Sequence, residues 1–102
     1  MHLGADEQVI LMTHDGPRGS ATTQWTDQDG TLTFGFQCLS DLILKQKDRI
    51  LFNVHGHCHD GAFQCTLNNE VQVYNPGSLK NGKFASISII KHEGKWKMLS
   101  AT

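Results

Sequence analysis

The chain has 102 residues, ten acidic side chains, nine lysines and arginines, and a formal net charge of −1 with its six histidines neutral. That length suits one domain, and near-balanced, interspersed charge excludes a nucleic-acid footprint or a polybasic membrane anchor. The apolar runs are too short to span a bilayer, no charged-then-apolar leader opens the chain, and three cysteines do not read as a disulfide framework. A reducing, cytoplasmic setting is therefore expected.

Val9-Ile10-Leu11-Met12-Thr13 is an apolar run closed by His14-Asp15-Gly16-Pro17, which predicts a buried strand running into a turn. Residues 16–33 are polar and rich in Gly, Ser, Thr and Asp, the composition of a long functional loop. Phe36, Leu39, Leu42, Ile43 and Gln46 follow helical spacing and predict an amphipathic helix over 34–47. Its apolar stripe, with Cys38, is expected in the core, and Ser40-Asp41 toward solvent. Ile50 to Val54 predicts a second buried strand, so strand, helix and strand form a βαβ unit with parallel strands. Strands over 62–67 and 71–74 are joined by Asn68-Asn69, a hairpin signal, and Asn75-Pro76-Gly77-Ser78 has the Pro-Gly order of a type II turn. Residues 84–90 and 96–99 predict two last strands linked through Glu93-Gly94. The fold class expected is α/β: one βαβ unit followed by antiparallel strands, in one domain spanning 1–102.

Three of the histidines fall within Val54-His55-Gly56-His57-Cys58-His59-Asp60-Gly61. Parallel strands in one sheet end at the same edge, and open α/β sheets bind ligands outside their carboxyl ends. His14 follows the first strand and the cluster follows the second, so the two are expected to converge on a metal site. Histidines at i and i+2 of an extended chain share one face but stand about 6–7 Å apart. They suit two ions held about 3.5–4 Å apart better than one.

His14 in a Thr-His-x-x-Pro setting, Gly56-His57-Cys58-His59 as G-H-x-H, and Asn75-Pro76-Gly77-Ser78 as N-P-G-S occur in this order. Together they resemble the C-terminal half of a calcineurin-like metallophosphoesterase, over roughly 9–90. The resemblance implies part of an αββα sandwich and the hydrolysis of phosphate mono- or diesters by metal-activated water. It assigns His14 and His57 to one divalent ion, His59 to the other, and the site wall to Asn75 and Ser78. His55 is expected to bond across the sheet or to support the site from behind. Arg18, Thr22 and Thr23 are candidates to contact a substrate phosphate or its leaving group. Asp15 and Asp60 read as turn residues or supports of the ligands. Mixed N/O ligation suits Mn, Fe, Zn, Ni or Co. The substrate implied is a phosphoester small molecule or nucleotide.

The family builds the other side of its site from D-x-H, G-D-x-x-D and G-N-H-D/E, none of which occurs in these 102 residues. Close dications repel unless anionic ligands sit between them, and three imidazoles supply no negative charge. The chain alone is expected to bind at most one ion weakly and to turn over slowly or not at all. Self-association, or a partner supplying the other half, is expected to bury the edges and apolar surface left open. Two other readings compete: a non-catalytic, protein-binding scaffold of the same fold, and a small zinc-stabilised domain using His55, His57, Cys58, His59 or Cys65.

Overall fold

The computed structural model of the chain describes residues 7–23, 25–26, 32–33, 35–58 and 61–102. Strand β1 (Val9–Thr13) leads through a 3-10 turn (Ala21–Thr23) and a short ribbon of β2 (Trp25–Thr26) and β3 (Leu32–Thr33) to helix α1 (Gln37–Lys45). Strand β4 (Ile50–His55) follows, then β5 (Gln64–Leu67) and β6 (Val71–Tyr74), a second 3-10 turn (Leu79–Asn81), and β7 (Ile87–His92) with β8 (Lys95–Ala101). The main sheet has the order β1-β4-β6-β5. β1, β4 and β6 run parallel, and β5 pairs antiparallel with β6. The mixed α/β class and the parallel β1–α1–β4 unit agree with the sequence reading. The long polar segment carries more structure than a plain loop, with a 3-10 turn and the β2–β3 pair.

The helix is shorter than its periodicity predicts, for a local reason. Gly35 has φ +82°, a left-handed conformation that cannot lead into a helix. Phe36 is extended, and its N–H donates to Gly16 O at 3.1 Å while its carbonyl accepts from Arg18 N at 3.0 Å. Phe36 thus spends its backbone on the loop after β1, and its ring is 53% exposed instead of entering the core. Leu42 is also largely exposed and Cys38 is on the surface. Ser40, expected outside, is buried, because its hydroxyl donates to Arg18 O at 2.5 Å and pins the helix to the same loop.

One face of the sheet packs against α1. Ile43, Ile50, Leu67, Val71 and Val73 form the buried cluster, with Leu11, Leu39 and Leu44 packed around it. Each such buried aliphatic side chain contributes about 1.5–3 kcal/mol relative to exposure. Pairing slips by one residue at the start of β4: Val9 pairs with Ile50, but Ile10 pairs with Phe52. The slip puts Ile50 and Phe52 on opposite faces, and explains why β4 buries residues of both. On the second face Phe52 and Tyr74 meet edge to face at 5.7 Å, and Tyr74 Oη donates to Met98 Sδ at 2.8 Å. The β7–β8 hairpin reaches that face, and Gln8 clasps the backbone N–H and C=O of Trp96.

Local turn chemistry behaves as read. Asn68 and Asn69 both take positive φ, 50° and 58°, and Glu70 N–H donates to Leu67 O at 2.9 Å. Two left-handed central residues are what a type I′ hairpin turn requires. Gly77 has φ +86°, as the third position of a type II turn demands.

Candidate metal centre

β1 and β4 end side by side, with Thr13 opposite His55. The parallel pairing extends one step further, since Gly56 N–H donates to His14 O at 3.0 Å. His14 therefore lies at the carboxyl edge of the sheet next to the turn that follows β4. Asn53 steadies the end of β1: its Nδ2 donates to Leu11 O at 2.9 Å and to Thr13 Oγ1 at 3.2 Å. The Thr13 hydroxyl in turn donates to Asp15 O at 2.7 Å, which fixes the backbone on which Asp15 sits.

The turn after β4 has an unusual shape. His57 has φ +63°, and Cys58 N–H donates to Gly56 O at 2.7 Å across it. That is a three-residue γ-turn of the rare positive-φ kind, with a histidine at its apex. A side chain in this conformation costs roughly 1–3 kcal/mol and persists only where its surroundings impose it. Here the turn is stapled from below. Asn75, 3% exposed at the end of β6, donates through Nδ2 to Cys58 O at 2.5 Å and to Thr22 O at 3.0 Å. Its Oδ1 accepts from Gly77 N–H at 3.1 Å. One amide thus ties the His57 turn, the Thr22 loop and the Pro76-Gly77 turn together.

The imidazoles of His55 and His57 separate by side because the positive-φ turn at His57 interrupts the extended chain, in which i and i+2 would share a face. His57 is exposed, and its Nδ1 lies 3.2 Å from His14 Nε2, with ring centroids 5.0 Å apart. Its Nε2 lies 3.4 Å from Asp15 Oδ1. One ligand atom from each of His14, Asp15 and His57 falls within 4.8 Å of the others, so the group can hold a metal ion. Two imidazoles and a carboxylate are the donors that first-row divalent cations take. His59 and Asp60 lie outside the described residues. The sequence reading gave Asp15 a supporting part, and its approach to His57 is what that reading missed. Its position one residue after His14 was the available signal.

His55 points inward and is 2% exposed. Its Nδ1 is 2.9 Å from Gly56 O, a pure acceptor, so that nitrogen carries the proton and donates. Nε2 then accepts from the Thr22 hydroxyl at 2.7 Å, and Thr22 accepts from Ser20 Oγ at 2.7 Å. Burial pushes the imidazole below its ordinary pKa, against the opposing pull of the Gly56 carbonyl and the Asp15 charge. The result is a neutral histidine that holds the loop of Ser20 and Thr22 behind the His57 turn. Gly16 is required for this packing, because a Cβ there would overlap Thr23 Cγ2 and the His55 ring.

The other candidates are spread more widely. Thr22 and Thr23 are 0% and 2% exposed. Their hydroxyls are used inside the protein, by His55 and Ser20 for Thr22 and by Pro17 O and Ser20 O for Thr23. The geometry gives both a loop-building part, with no surface left to meet a substrate. Arg18 is exposed on the same loop. Ser78 is half-buried and opens the 3-10 turn over Leu79–Asn81, its carbonyl accepting from Asn81 and Lys83 N–H. Cys58 is buried under the turn and Cys65 is half-buried in β5. Among the described residues, the metal-capable group is made by His14, Asp15 and His57, with neither cysteine in it. The chain matches no family model, no curated protein and no solved structure.

Proposed function

We propose that the chain is the C-terminal, metal-binding half of a metallophosphoesterase-type αββα sandwich and serves the hydrolysis of phosphate mono- or diesters. The observation that carries this reading is the approach of His14 to His57 at the carboxyl edge of β1 and β4. It is supported by the order of the His14, Gly56-His57-Cys58-His59 and Asn75-Pro76-Gly77-Ser78 segments along the sequence. In this reading His14 and His57 hold one divalent cation, and His59 serves a second.

Bound there, a divalent cation makes a nucleophile available from water at neutral pH and offsets charge on the phosphoryl oxygens. The chain's own residues do the positioning. Asn75 and the γ-turn hold the His57 imidazole toward His14, and neutral His55 holds the loop behind them. The bridging carboxylate and the proton donor for the leaving group come from outside these residues in this reading. A partner surface is on hand to receive them. Among the described residues β1 is an outer strand, free of charge and proline, and Ile10 and Met12 on it are 46% and 78% exposed. Such an edge favours pairing with another strand.

The test is metal-dependent hydrolysis of bis(p-nitrophenyl) phosphate by the purified chain, loaded in turn with Mn, Fe, Co, Ni and Zn. Slow turnover that needs metal and disappears in His57→Ala supports the reading. A chain that takes up no metal, or whose metal uptake and turnover are unchanged in His57→Ala, overturns it.

A further inference from the structure

We infer that Asp15 is a direct ligand, so that His14, Asp15 and His57 together form a complete two-histidine, one-carboxylate site for a single divalent cation. The inference rests on the metal-site reading above, but adds a ligand that the sequence motifs do not supply.

Three observations carry it. The first is distance. Asp15 Oδ1 and His57 Nε2 are 3.4 Å apart, longer than an ordinary N–H···O hydrogen bond. Metal–ligand bonds of about 2.0–2.2 Å put neighbouring tetrahedral ligands roughly 3.3–3.6 Å apart. The separation suits Asp15 Oδ1 and His57 Nε2 as two ligands of one ion; His57 turns its other nitrogen, Nδ1, to His14, and one ligand atom from each of the three residues still falls within 4.8 Å of the others. The second is charge. A dication held by two neutral imidazoles alone is poorly compensated, and Asp15 is the carboxylate of the group. The third is preorganisation. The Asp15 carbonyl is anchored by the Thr13 hydroxyl, and its side chain is 27% exposed beside His57 at 51%. An ion would enter from the open side without displacing packed residues.

The consequence is a site that needs no second chain to hold its first ion. The chain should take up one equivalent of Co(II) per protomer, with ligands one residue apart on the β1 turn and a third from the turn after β4.

The experiment titrates Co(II) into the full chain and into Asp15→Asn, Asp15→Cys and His57→Ala, following visible and near-ultraviolet absorption. Asp15→Asn should weaken affinity tenfold or more while leaving the metal-free melting temperature unchanged. Asp15→Cys should restore binding and show a thiolate-to-cobalt charge-transfer band that the wild-type chain lacks, which a residue outside the coordination sphere would not produce. Wild-type binding with unchanged affinity in Asp15→Asn and no new band in Asp15→Cys overturns the role of Asp15, and leaves His14 and His57 as ligands. No Co(II) uptake by the wild-type chain overturns both this inference and the metal-site reading beneath it.

Discussion

His57 Nδ1 stands 3.2 Å from His14 Nε2, although 43 positions separate the two residues. The contact exists because β1 and β4 are parallel neighbours that end together, and because the next turn throws His57 outward on a positive-φ backbone. Both conditions concern the backbone, so the site can be weakened without touching a ligand and the fold strengthened by removing one.

His57→Gly should separate these effects. Glycine adopts the left-handed conformation without the penalty a Cβ carries, so the metal-free chain should gain about 0.5–1 kcal/mol. The same change removes an imidazole and should abolish metal binding. Urea melts in chelator, beside a metal titration, check both. A metal-free His57→Gly chain less stable than wild type would show that the γ-turn is not strained.

Asn75→Ala should be among the costly single changes at the site. It strips the donor from Cys58 O and Thr22 O inside the protein, at about 2–4 kcal/mol. Metal affinity should fall too, because the His57 turn loses its staple. Asn75→Asp tests the cause at constant size, since a carboxylate oxygen would face two carbonyl oxygens. An Asn75→Asp variant as stable as wild type would rule out the donor role.

The pH dependence of stability should carry the mark of His55. Burial holds its folded pKa below the ordinary 6.5, while the unfolded chain keeps that value. Between the two values the unfolded state binds the extra proton, so stability is full above about 6.5 and falls as pH drops toward the folded pKa. Urea melts of the metal-free chain from pH 8 to pH 5 should show this loss. The loss should shrink in His55→Gln, and parallel profiles in the two chains would show that His55 is not its source.

Association should depend on the outer edge of β1. Met12, 78% exposed on an uncharged edge strand, is the natural place to disrupt pairing. Light scattering is expected to show wild-type self-association that Met12→Lys reduces toward a monomer. A wild-type chain that is already monomeric at high concentration would mean that no second copy covers this edge.

Much of the architecture was legible in the residues themselves. Val9–Thr13 and Val71–Tyr74 are strands with the bounds their apolar runs suggest, and Asn68-Asn69 turns as its composition demands. These features are local: side-chain period and φ preference act within a few residues. The parallel βαβ order followed from them, and with it the meeting of His14 and His57. Burial was not local. Phe36 and Leu42 keep helical spacing yet face outward, whereas Ser40 and Thr22 are polar yet buried. Their environments depend on the loop after β1, which takes the backbone of Phe36 and the hydroxyl of Ser40 through Gly16 and Arg18. The Asp15–His57 approach belongs to the same class. Residue types and their order were enough to nominate imidazoles at a sheet edge, but which carboxylate joins them is set by packed turns from β1, β4 and β6. Only the tertiary structure fixes the relative placement of those turns, because no local preference acts across that distance in sequence.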